Sequence, residues 1–536
     1  MKKTLLYGGI FSFAFLLIAC GGGGGSSASN TSTPPPAPPP TNSAPTLTTA
    51  NSDQSARVGA PFTYDATNSN TAFSDSDGDT LTYSIAFSPS AQGLTSAGGT
   101  ISGTPSQAGT VTVTITVNDG NGGEVSDMFD IIISEAVASN ASTPNIIFVI
   151  SDDQGKDASA EYNLSSDLPS TPNLSALANN GIIFDNLWVS PSCSPTRAGL
   201  ITGKYSLRTN VFAPGNPLSS TETILQQFLK TDPAGVGYAS ALIGKWHLGG
   251  GNSGPNDFGV DHFAGITNGG VNDYFNWTLN VNGTNSAQTS YVTSELTDQA
   301  IDWVDDQTTP WFLWLAYNAP HTPFHVPPAG LHSRTLSGTA ADIAANPRDY
   351  FLASIEAMDS EFGRLWNSLS AQEQADTIVI YIGDNGSPAN VADRSLINGN
   401  KGNLLQGGIN TPMFVSGAGV TRIGEREDAL INHTDFFPTI AEIAGVNLAA
   451  INDGQSFKAL LDNQNAPSRD VAYSEDDGGW TIRNERYKLI EMTNGAQDLY
   501  DLQSDPVEQT DLLNGAADVS AILSELEADA NIIRNQ

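Results

Sequence analysis

Positively charged residues and cysteine are both scarce in this chain. Its 536 residues include 22 Lys and Arg against 57 Asp and Glu, which gives a formal net charge of −35 at pH 7. Nucleic-acid binding depends largely on Lys and Arg that neutralise phosphates, so this balance argues against a nucleic-acid partner. An acidic surface also repels anions at long range. Any anionic substrate therefore needs a locally positive pocket, and each cluster of cations is informative.

The two cysteines, Cys20 and Cys193, lie in different contexts. Cys20 closes the segment MKKTLLYGGIFSFAFLLIAC, in which two lysines precede an apolar run too short to span a membrane. This pattern predicts a cleaved export signal over residues 1–19. Its Leu-Ile-Ala-Cys ending resembles a bacterial lipobox, which implies a lipid anchor on Cys20 that holds an exported protein to the membrane, and Gly21 favours the outer membrane. An ordinary secretory signal with an incidental cysteine is the alternative.

The composition changes along the chain, whose length suggests two to four domains. Residues 20–43 are rich in Gly, Ser and Pro and are predicted to be a tether without a fold of its own. Residues 44–134 carry alternating segments such as TVTVTITV, which predict an all-β sandwich with about seven antiparallel strands. The segment resembles bacterial immunoglobulin-like or cadherin-like modules. Asp75, Asp77 and Asp79 within it are either calcium ligands or an acidic turn.

The remainder of the chain, after a small-residue linker at 135–143, is predicted to have an α/β fold. Apolar runs such as NIIFVI (145–150) and TIVIYIG (377–383) alternate with helical patterns such as TETILQQFLK. Buried continuous strands that alternate with helices predict a mainly parallel sheet flanked by helices. Ligands of such sheets bind at the carboxyl ends of the strands.

Polar side chains follow four of these predicted strands. In chain order they are Asp152 and Asp153, Lys245 and His247, Asn318 and His321, and Asp384 and Asn385. Singly, an Asp pair is often a helix cap and Asp-Asn-Gly is often a turn. Because the carboxyl ends of parallel strands share one edge, we expect these side chains to lie together. The three carboxylates and the Asn385 amide then supply four oxygen ligands suited to Ca²⁺ or Mg²⁺. The thiolate and histidine set that zinc prefers is not present in this pattern.

The segment PSCSPTRAGLITGKYS (191–206) places the second cysteine at a predicted helix start. Pro195 suits the first turn and Gly203 suits the end, so Cys193 is expected at or just before the helix N-terminus. Free N–H groups and the helix dipole favour an anion there. Arg197, about one turn further, adds a fork of donors for a tetrahedral oxyanion. A lone cysteine is usually an inert buried residue, but this one lies in an electropositive setting.

At this point the residues match a family pattern. CSPTR at 193–197, followed by AGLITG, resembles the Cys-x-Pro-x-Arg signature of the type I sulfatases, in which the cysteine is oxidised to Cα-formylglycine. The resemblance continues through GKWHLG, APHTPFHVP, KGNLLQGGINTP, HTDFFPTIAEIAG and DLYDLQSDPVEQTDLL. It implies an alkaline-phosphatase-superfamily α/β domain over 144–465 and a small antiparallel C-terminal subdomain over 466–536. It also implies a formylglycine-generating maturation enzyme as a partner.

The resemblance further implies one divalent metal ion, usually Ca²⁺ with Mg²⁺ as the option. Its ligands would be Asp152, Asp153, Asp384, Asn385 and the formylglycine made from Cys193. Hydrated formylglycine is a gem-diol, one oxygen of which would act as the nucleophile. The second hydroxyl of the diol allows sulfate to be eliminated rather than hydrolysed.

Five basic residues take catalytic roles by the same resemblance. Arg197 would orient and activate the diol, while Lys245 and Lys401 would neutralise the sulfate oxygens. His321 would protonate the leaving alcohol. In the second step His247 would take a proton from the remaining hydroxyl, which expels sulfate and restores the aldehyde.

Other positions are peripheral or depart from the family pattern. His262 and His325 are expected to be loop or substrate-rim residues, and His433 is expected to be structural or to support the site residues from behind. Many relatives carry a Glu and an Arg in the segment that here reads QGGIN (406–410), so a charged pair is absent. Ser387 follows the Asp-Asn-Gly turn where another Gly is common.

The function expected from these residues is metal-dependent hydrolysis of a sulfuric ester, in a sulfated glycan or another organic sulfate. A glycan substrate fits the tethered β-sandwich by analogy alone. Three alternatives remain open: a phosphodiester or phosphonate ester hydrolase of the same superfamily, a thiol hydrolase that uses Cys193 and a histidine, and a catalytically silent glycan-binding surface lipoprotein.

Overall fold

The computed structural model describes residues 42–58, 62–134, 143–231 and 238–536. The predicted export signal, nearly all of the predicted tether and most of the predicted linker lie outside these residues. Within the described ranges, no helix combines the length and the apolar character that a membrane span requires.

An all-β sandwich comes first in the described chain, as predicted. Its strands are β1 (Thr46–Leu47), β2 (Gln54–Arg57), β3 (Phe62–Asp65), β4 (Phe73–Ser74), β5 (Thr82–Ser88), β6 (Leu94–Ala97), β7 (Thr100–Gly103), β8 (Gly109–Asn118) and β9 (Glu124–Ser134). In β8, with the sequence GTVTVTITVN, the Val and Ile side chains are buried while the Thr side chains between them stay partly exposed. This alternation buries one face of the sheet and solvates the other.

The strand pairing of the sandwich differs in detail from the expectation. The described residues hold nine strands in sheets of order β2-β9-β8-β5, β3-β7-β6 and β1-β4, and β2 runs parallel to β9. β2 and β9 are far apart in sequence, so no hairpin turn fixes their relative direction. Alternation of residue types therefore could not show that this pair is parallel.

A large sheet flanked by helices forms the α/β part, which confirms the predicted fold class. Its strands are β10 (Asn145–Ser151), β11 (Gly181–Trp188), β12 (Ala239–Lys245), β13 (His262–Ile266), β14 (Trp277–Val281), β15 (Thr284–Gln288), β16 (Trp311–Ala316), β17 (Thr377–Gly383), β18 (Asn410–Thr411), β19 (Met413–Gly417) and β20 (Glu425–Asn432). The central order β13-β12-β16-β10-β17 is parallel throughout. Antiparallel strands extend the sheet beyond both β13 and β17.

Helices cover both faces of this sheet. The helices of the described chain are α1 (Pro172–Asn179), α2 (Cys193–Thr202), α3 (Ser206–Thr209), α4 (Leu225–Thr231), α5 (Gly254–Asp257), α6 (Val292–Asp305), α7 (Ala340–Ala345), α8 (Pro347–Ser368), α9 (Ala371–Ala375), α10 (Gln406–Ile409), α11 (Phe436–Ile443) and α12 (Ser520–Asn535). The last of them, α12, packs on the C-terminal sheet instead. Along β10, Phe148 packs into a core with α2 and α11, whereas Val149 packs into a second core with α1, α6 and α8. β10 is thus buried on both faces, which explains its continuous apolar sequence.

The C-terminal region forms the small antiparallel sheet that the family resemblance implies. After a short ribbon of β21 (Ala450–Ile451) and β22 (Gly454–Gln455), the strands β23 (Ala472–Glu475), β24 (Gly479–Arg483), β25 (Tyr487–Met492) and β26 (Gln497–Asp501) follow in order. The buried Lys488 Nζ contacts Glu508 and donates to the backbone oxygen of Leu404 at 2.7 Å. Glu508 accepts the backbone N–H of Gln406 at 2.6 Å. This pair ties the C-terminal sheet to the segment that follows Lys401.

Candidate active site

The predicted site residues come together at the carboxyl edge of the central strands. The strands β12, β16, β10 and β17 are consecutive neighbours in the sheet, and their carboxyl ends meet there. The residues at this edge are Asp152, Asp153, Cys193, Arg197, Lys245, His247, His321, Asp384, Asn385 and Lys401. Parallel strands bring them together from across the α/β sequence.

Each of the three carboxylates is paired with its own cation. Lys245 Nζ lies 2.6 Å from an oxygen of Asp152, and Lys401 Nζ lies 2.5 Å from an oxygen of Asp153. Arg197 donates through Nε and Nη2 to Asp384 Oδ2 at 3.1 and 2.7 Å. The charges of these pairs therefore balance, three against three, before any ion or substrate is added. A divalent cation would make the site positive enough to attract a sulfate ester.

The electrostatics of these pairs favour their charged forms. Burial alone would raise the pKa of Asp152, but Lys245, His321 and Arg197 together more than offset it and the pKa is lowered. Burial likewise opposes the charge on Lys401, yet the nearby Asp153 raises the pKa of Lys401 above its usual value. The Asp152 carboxylate is thus held ionised inside the protein, as a metal ligand must be.

Two buried oxygens in this group have no hydrogen-bond partner. They are Asp152 Oδ1 and Asn385 Oδ1. The amide of Asn385 is oriented by its nitrogen, which donates to Asp153 Oδ1 at 2.8 Å and leaves its oxygen free. A buried acceptor without a partner is costly, and hard divalent cations bind carboxylate and amide oxygens. The residues present therefore fit a Ca²⁺ or Mg²⁺ ion held by Asp152, Asp153, Asp384 and Asn385.

Helix α2 begins at Cys193, as its Pro and Gly positions predict. Ser192 is the extended residue before the helix, Pro195 lies in the first turn, and Gly203 ends the helix with φ 69°. Gly suits this left-handed conformation because it has no Cβ. The helix is buried along its whole length, so the side chain of Cys193 is fixed against the carboxyl edge of the sheet.

The thiol of Cys193 lies against an imidazole. Its Sγ is 3.3 Å from His247 Nδ1. Burial raises the pKa of the thiol, and burial with the nearby Lys245 lowers the pKa of His247 to about 3. Both groups are therefore neutral in this arrangement, unlike the thiolate and imidazolium pair that a thiol hydrolase uses. The burial of both groups, which disfavours their charged forms, argues against that alternative.

His321 approaches the carboxylates from β16. Its Nε2 lies 3.7 Å from Asp153 Oδ2. Its Nδ1 is 2.8 Å from the carbonyl of Thr322, so Nδ1 carries a proton and donates it. The free Nε2 therefore faces the site, and the His321 side chain is about a fifth exposed, so a substrate can reach it.

Several supporting contacts were not evident from the sequence. Ser194 Oγ donates to the carbonyl of His247 and accepts the N–H of Gly215, both at 2.9 Å, which fixes the His247 backbone. Ser387 Oγ donates to Asp157 at 2.7 Å, and its carbonyl accepts the N–H of Lys401 at 2.9 Å. Ser387 was noted in the sequence only as a departure from the family pattern. Its hydroxyl acts as a local anchor for the turn that carries Asp384.

The three histidines predicted to lie outside the catalytic group occupy different parts of the structure. The prediction that His262 is a loop or substrate-rim residue is wrong, because His262 begins β13 at the opposite edge of the sheet from Lys245. His325 is largely buried and stacks on Tyr274 with ring centroids 3.9 Å apart. His433 is buried beneath α2, with Nδ1 3.4 Å from the carbonyl of Trp188, which fits a structural role.

Comparison with known proteins shows which family the α/β part of this chain resembles. The family model described as Sulfatase matches residues 144–446. The chain belongs to the sulfatase family. The model for the C-terminal region of N-sulphoglucosamine sulphohydrolase matches residues 400–536, and the Ig domain model He_PIG matches residues 44–134.

Individual sulfatases are similar over parts of this chain. The uncharacterized sulfatase YdeN of Escherichia coli (strain K12) is 30% identical over 52% of this chain, which spans about half (54%) of that protein. The N-acetylglucosamine-6-O-sulfatase of Bacteroides thetaiotaomicron is 24% identical over 70% of this chain and 83% of its own length. The solved structure of BT4656 in complex with its substrate D-glucosamine-2-N,6-O-disulfate has a TM-score of 0.62 and 23% identity, covering 74% of this chain and 98% of that one. At this identity the structural likeness shows a shared fold.

Proposed function

We propose that this sulfatase-family protein hydrolyses sulfuric esters with a formylglycine made from Cys193 and a divalent metal ion. One observation carries the proposal: three buried carboxylates and three cations, of which Arg197 and Lys245 are buried and Lys401 is half-buried, surround the start of the helix that begins at Cys193. When present, the metal and the hydrated formylglycine supply a positive centre and a nucleophilic oxygen for attack on sulfur.

The cations hold the sulfate group. Lys245 contacts Asp152 and Lys401 contacts the next residue, Asp153, so each lysine has its ammonium group at the site. They neutralise the oxygens of the bound sulfate as charge shifts during S–O cleavage. Arg197 is held by three hydrogen bonds, two to Asp384 and one to the carbonyl of Lys245 at 2.8 Å. It orients the side chain at position 193, four residues before it in the same helix.

The two histidines move protons at different atoms. His321 presents Nε2 at the open side of the site. With a proton on both ring nitrogens, it donates the Nε2 proton to the oxygen of the leaving alcohol and keeps its Nδ1–H bond to the carbonyl of Thr322. His247 presents Nδ1 to the side chain at position 193, at 3.3 Å from Sγ. As a neutral imidazole it accepts a proton from that position in the second step, which releases sulfate.

A sulfated carbohydrate is the substrate class we propose. Two similar proteins are named for aminosugar sulfates, the N-acetylglucosamine-6-O-sulfatase and BT4656 with its glucosamine disulfate. The β-sandwich that precedes the α/β domain is consistent with a protein that works on an extended polymer outside the cell. We also propose export and a lipid anchor on Cys20, on the strength of the N-terminal sequence.

A panel of esters tests the reaction class. Protein purified with its native residue 193 is offered sulfated monosaccharides and oligosaccharides, aryl sulfate, phosphodiester and phosphonate esters, and free sulfate or phosphate is measured. Turnover of sulfates, lost on chelation and in Cys193→Ala, supports the proposal. Faster turnover of phosphonates or phosphodiesters would replace it with the related hydrolase. No turnover, together with carbohydrate binding by the sandwich, would indicate a silent surface protein.

A further inference from the structure

The loop between β13 and β14 passes over both histidines of the site. A Cβ at Gly269 would lie 2.6 Å from the His247 ring, and one at Gly270 would lie 3.4 Å from the ring of His321. The loop is therefore in close contact with the groups that face the substrate. Tyr274 and Phe275 lie further along the same loop, just before β14.

Tyr274 fixes this loop to the His321 segment. Its hydroxyl donates toward the carbonyls of Asn318 and His321, at 2.8 and 2.7 Å, and accepts from the Asn318 amide at 3.0 Å. Its ring stacks on His325, and His325 in turn lies 3.1 Å through Nε2 from the hydroxyl of Tyr291. The stack of Tyr274, His325 and Tyr291 is thus a rigid support beside the proposed acid.

Phe275 lies at the outer side of this stack. Its ring centroid is 5.3 Å from that of Tyr291 and 6.0 Å from that of His325, while 39% of the residue remains exposed. Among the large hydrophobic side chains exposed in the described ranges, Phe275 is the aromatic one. Its backbone N–H donates to Asp273 Oδ1 at 2.7 Å, which fixes its direction. Phe275 is therefore an exposed aromatic ring, supported from behind by Tyr291 and His325, in the loop that contacts the rings of His247 and His321.

We propose that Phe275 is a stacking subsite for the sugar ring that carries the leaving oxygen. This inference rests on the proposed function. The C–H face of a pyranose is apolar and packs on the flat face of an aromatic ring. Phe275 is joined through its neighbour Tyr274 to the backbone of His321, the residue proposed to protonate the leaving oxygen, so it lies on the leaving-group side. Asp273 beside it repels anions, so the ring stacked there is neutral apart from the ester that is cleaved.

Steady-state kinetics with one sugar sulfate and with inorganic sulfate test this subsite. The variants are Phe275→Ala, Phe275→Trp and the control Ile423→Ala, which removes another exposed apolar side chain, 61% exposed, between β19 and β20. The substrate is the best monosaccharide sulfate of the panel, and inorganic sulfate serves as the competitive inhibitor. The inhibition constant of sulfate reports on the anion pocket alone.

If Phe275 is a sugar subsite, its loss should change KM for the sugar sulfate but not the inhibition constant of inorganic sulfate. Phe275→Ala should raise KM about tenfold, with kcat and the sulfate inhibition constant within twofold of the parent, and Phe275→Trp and Ile423→Ala should stay near the parent. An unchanged KM in Phe275→Ala would overturn the subsite while leaving the proposed function intact. A parallel rise of KM and the sulfate constant would also overturn it, because the anion pocket itself would then be damaged. A parent protein that cleaves no sulfate ester would overturn both proposals.

Discussion

Replacing Arg197 by Met tests how the charges of the site are balanced. Arg197 is 1% exposed and forms two hydrogen bonds to the fully buried Asp384, and its Nη2 is 3.8 Å from Asp152. Met keeps most of the apolar volume and removes the charge. The buried carboxylates then outnumber the cations by three to two. Removing one partner of a buried ion pair typically costs about 3–5 kcal/mol.

Calcium should restore part of this loss if the carboxylates form a metal site. A ligand that binds the folded state at 100 times its Kd adds about 2.7 kcal/mol of stability. The more negative site of Arg197→Met should bind Ca²⁺ at least as tightly as the parent, so its gain should equal or exceed the parent's. Urea midpoints are measured with a chelator and then with excess Ca²⁺ for both proteins.

Arg422→Met is the matched control. Arg422 is also buried, 5% exposed, and pairs with Glu427 at 2.6 Å away from the site. Its loss should lower the urea midpoint without any extra response to Ca²⁺. A fall of less than about 1 kcal/mol in Arg197→Met, or a loss that Ca²⁺ leaves unchanged there, would refute this account of the charges.

Three further predictions address the nucleophile, a buried histidine and the C-terminal sheet. Cys193→Ala should lower kcat for sulfate release by about 10³-fold or more while the circular dichroism spectrum is kept, and near-parent turnover would exclude a role for residue 193. His433 is buried, and burial lowers its pKa to about 4. Below its unfolded pKa of about 6.5 the unfolded chain binds a proton that the folded protein does not, so the free energy of unfolding falls by about 3 kcal/mol as the pH drops toward 4. His433→Asn should flatten that part of the urea-midpoint profile against pH, and an unchanged profile would contradict the assignment. Lys488→Met leaves buried Glu508 without its cation and should cost about 3–5 kcal/mol. The double variant Lys488→Met with Glu508→Gln should recover most of this loss, because no unpaired charge is then buried. A double variant no more stable than Lys488→Met would show that the loss does not come from the unpaired charge of Glu508.

Much of the site was predictable because parallel strands end at one edge. NIIFVI and TIVIYIG are buried on both faces, so their apolar runs mark their ends clearly and place Asp152 and Asp384 at the same edge. The Pro and Gly spacing around Cys193 likewise defined α2. These signals depend on residues close together in the chain, so they can be recognised from the sequence alone.

Long-range contacts were not predictable from the sequence. His262 has the same residue type as His247, but only the register of β13 against β12 shows that it lies at the far edge. The aromatic stack joins residues from three separate segments, at 274–275, 291 and 325, which no spacing rule connects. The parallel pairing of β2 with β9 was hidden for the same reason.

The mass of the proteolytic peptide that contains residue 193 shows whether Cys193 is converted to formylglycine, on which the proposed mechanism depends. The protein is purified from its native cells, and the peptide is compared with the same peptide made with an unmodified cysteine. The account predicts the mass of the aldehyde or its hydrate at residue 193. An unmodified thiol in every molecule would contradict a formylglycine mechanism for this protein.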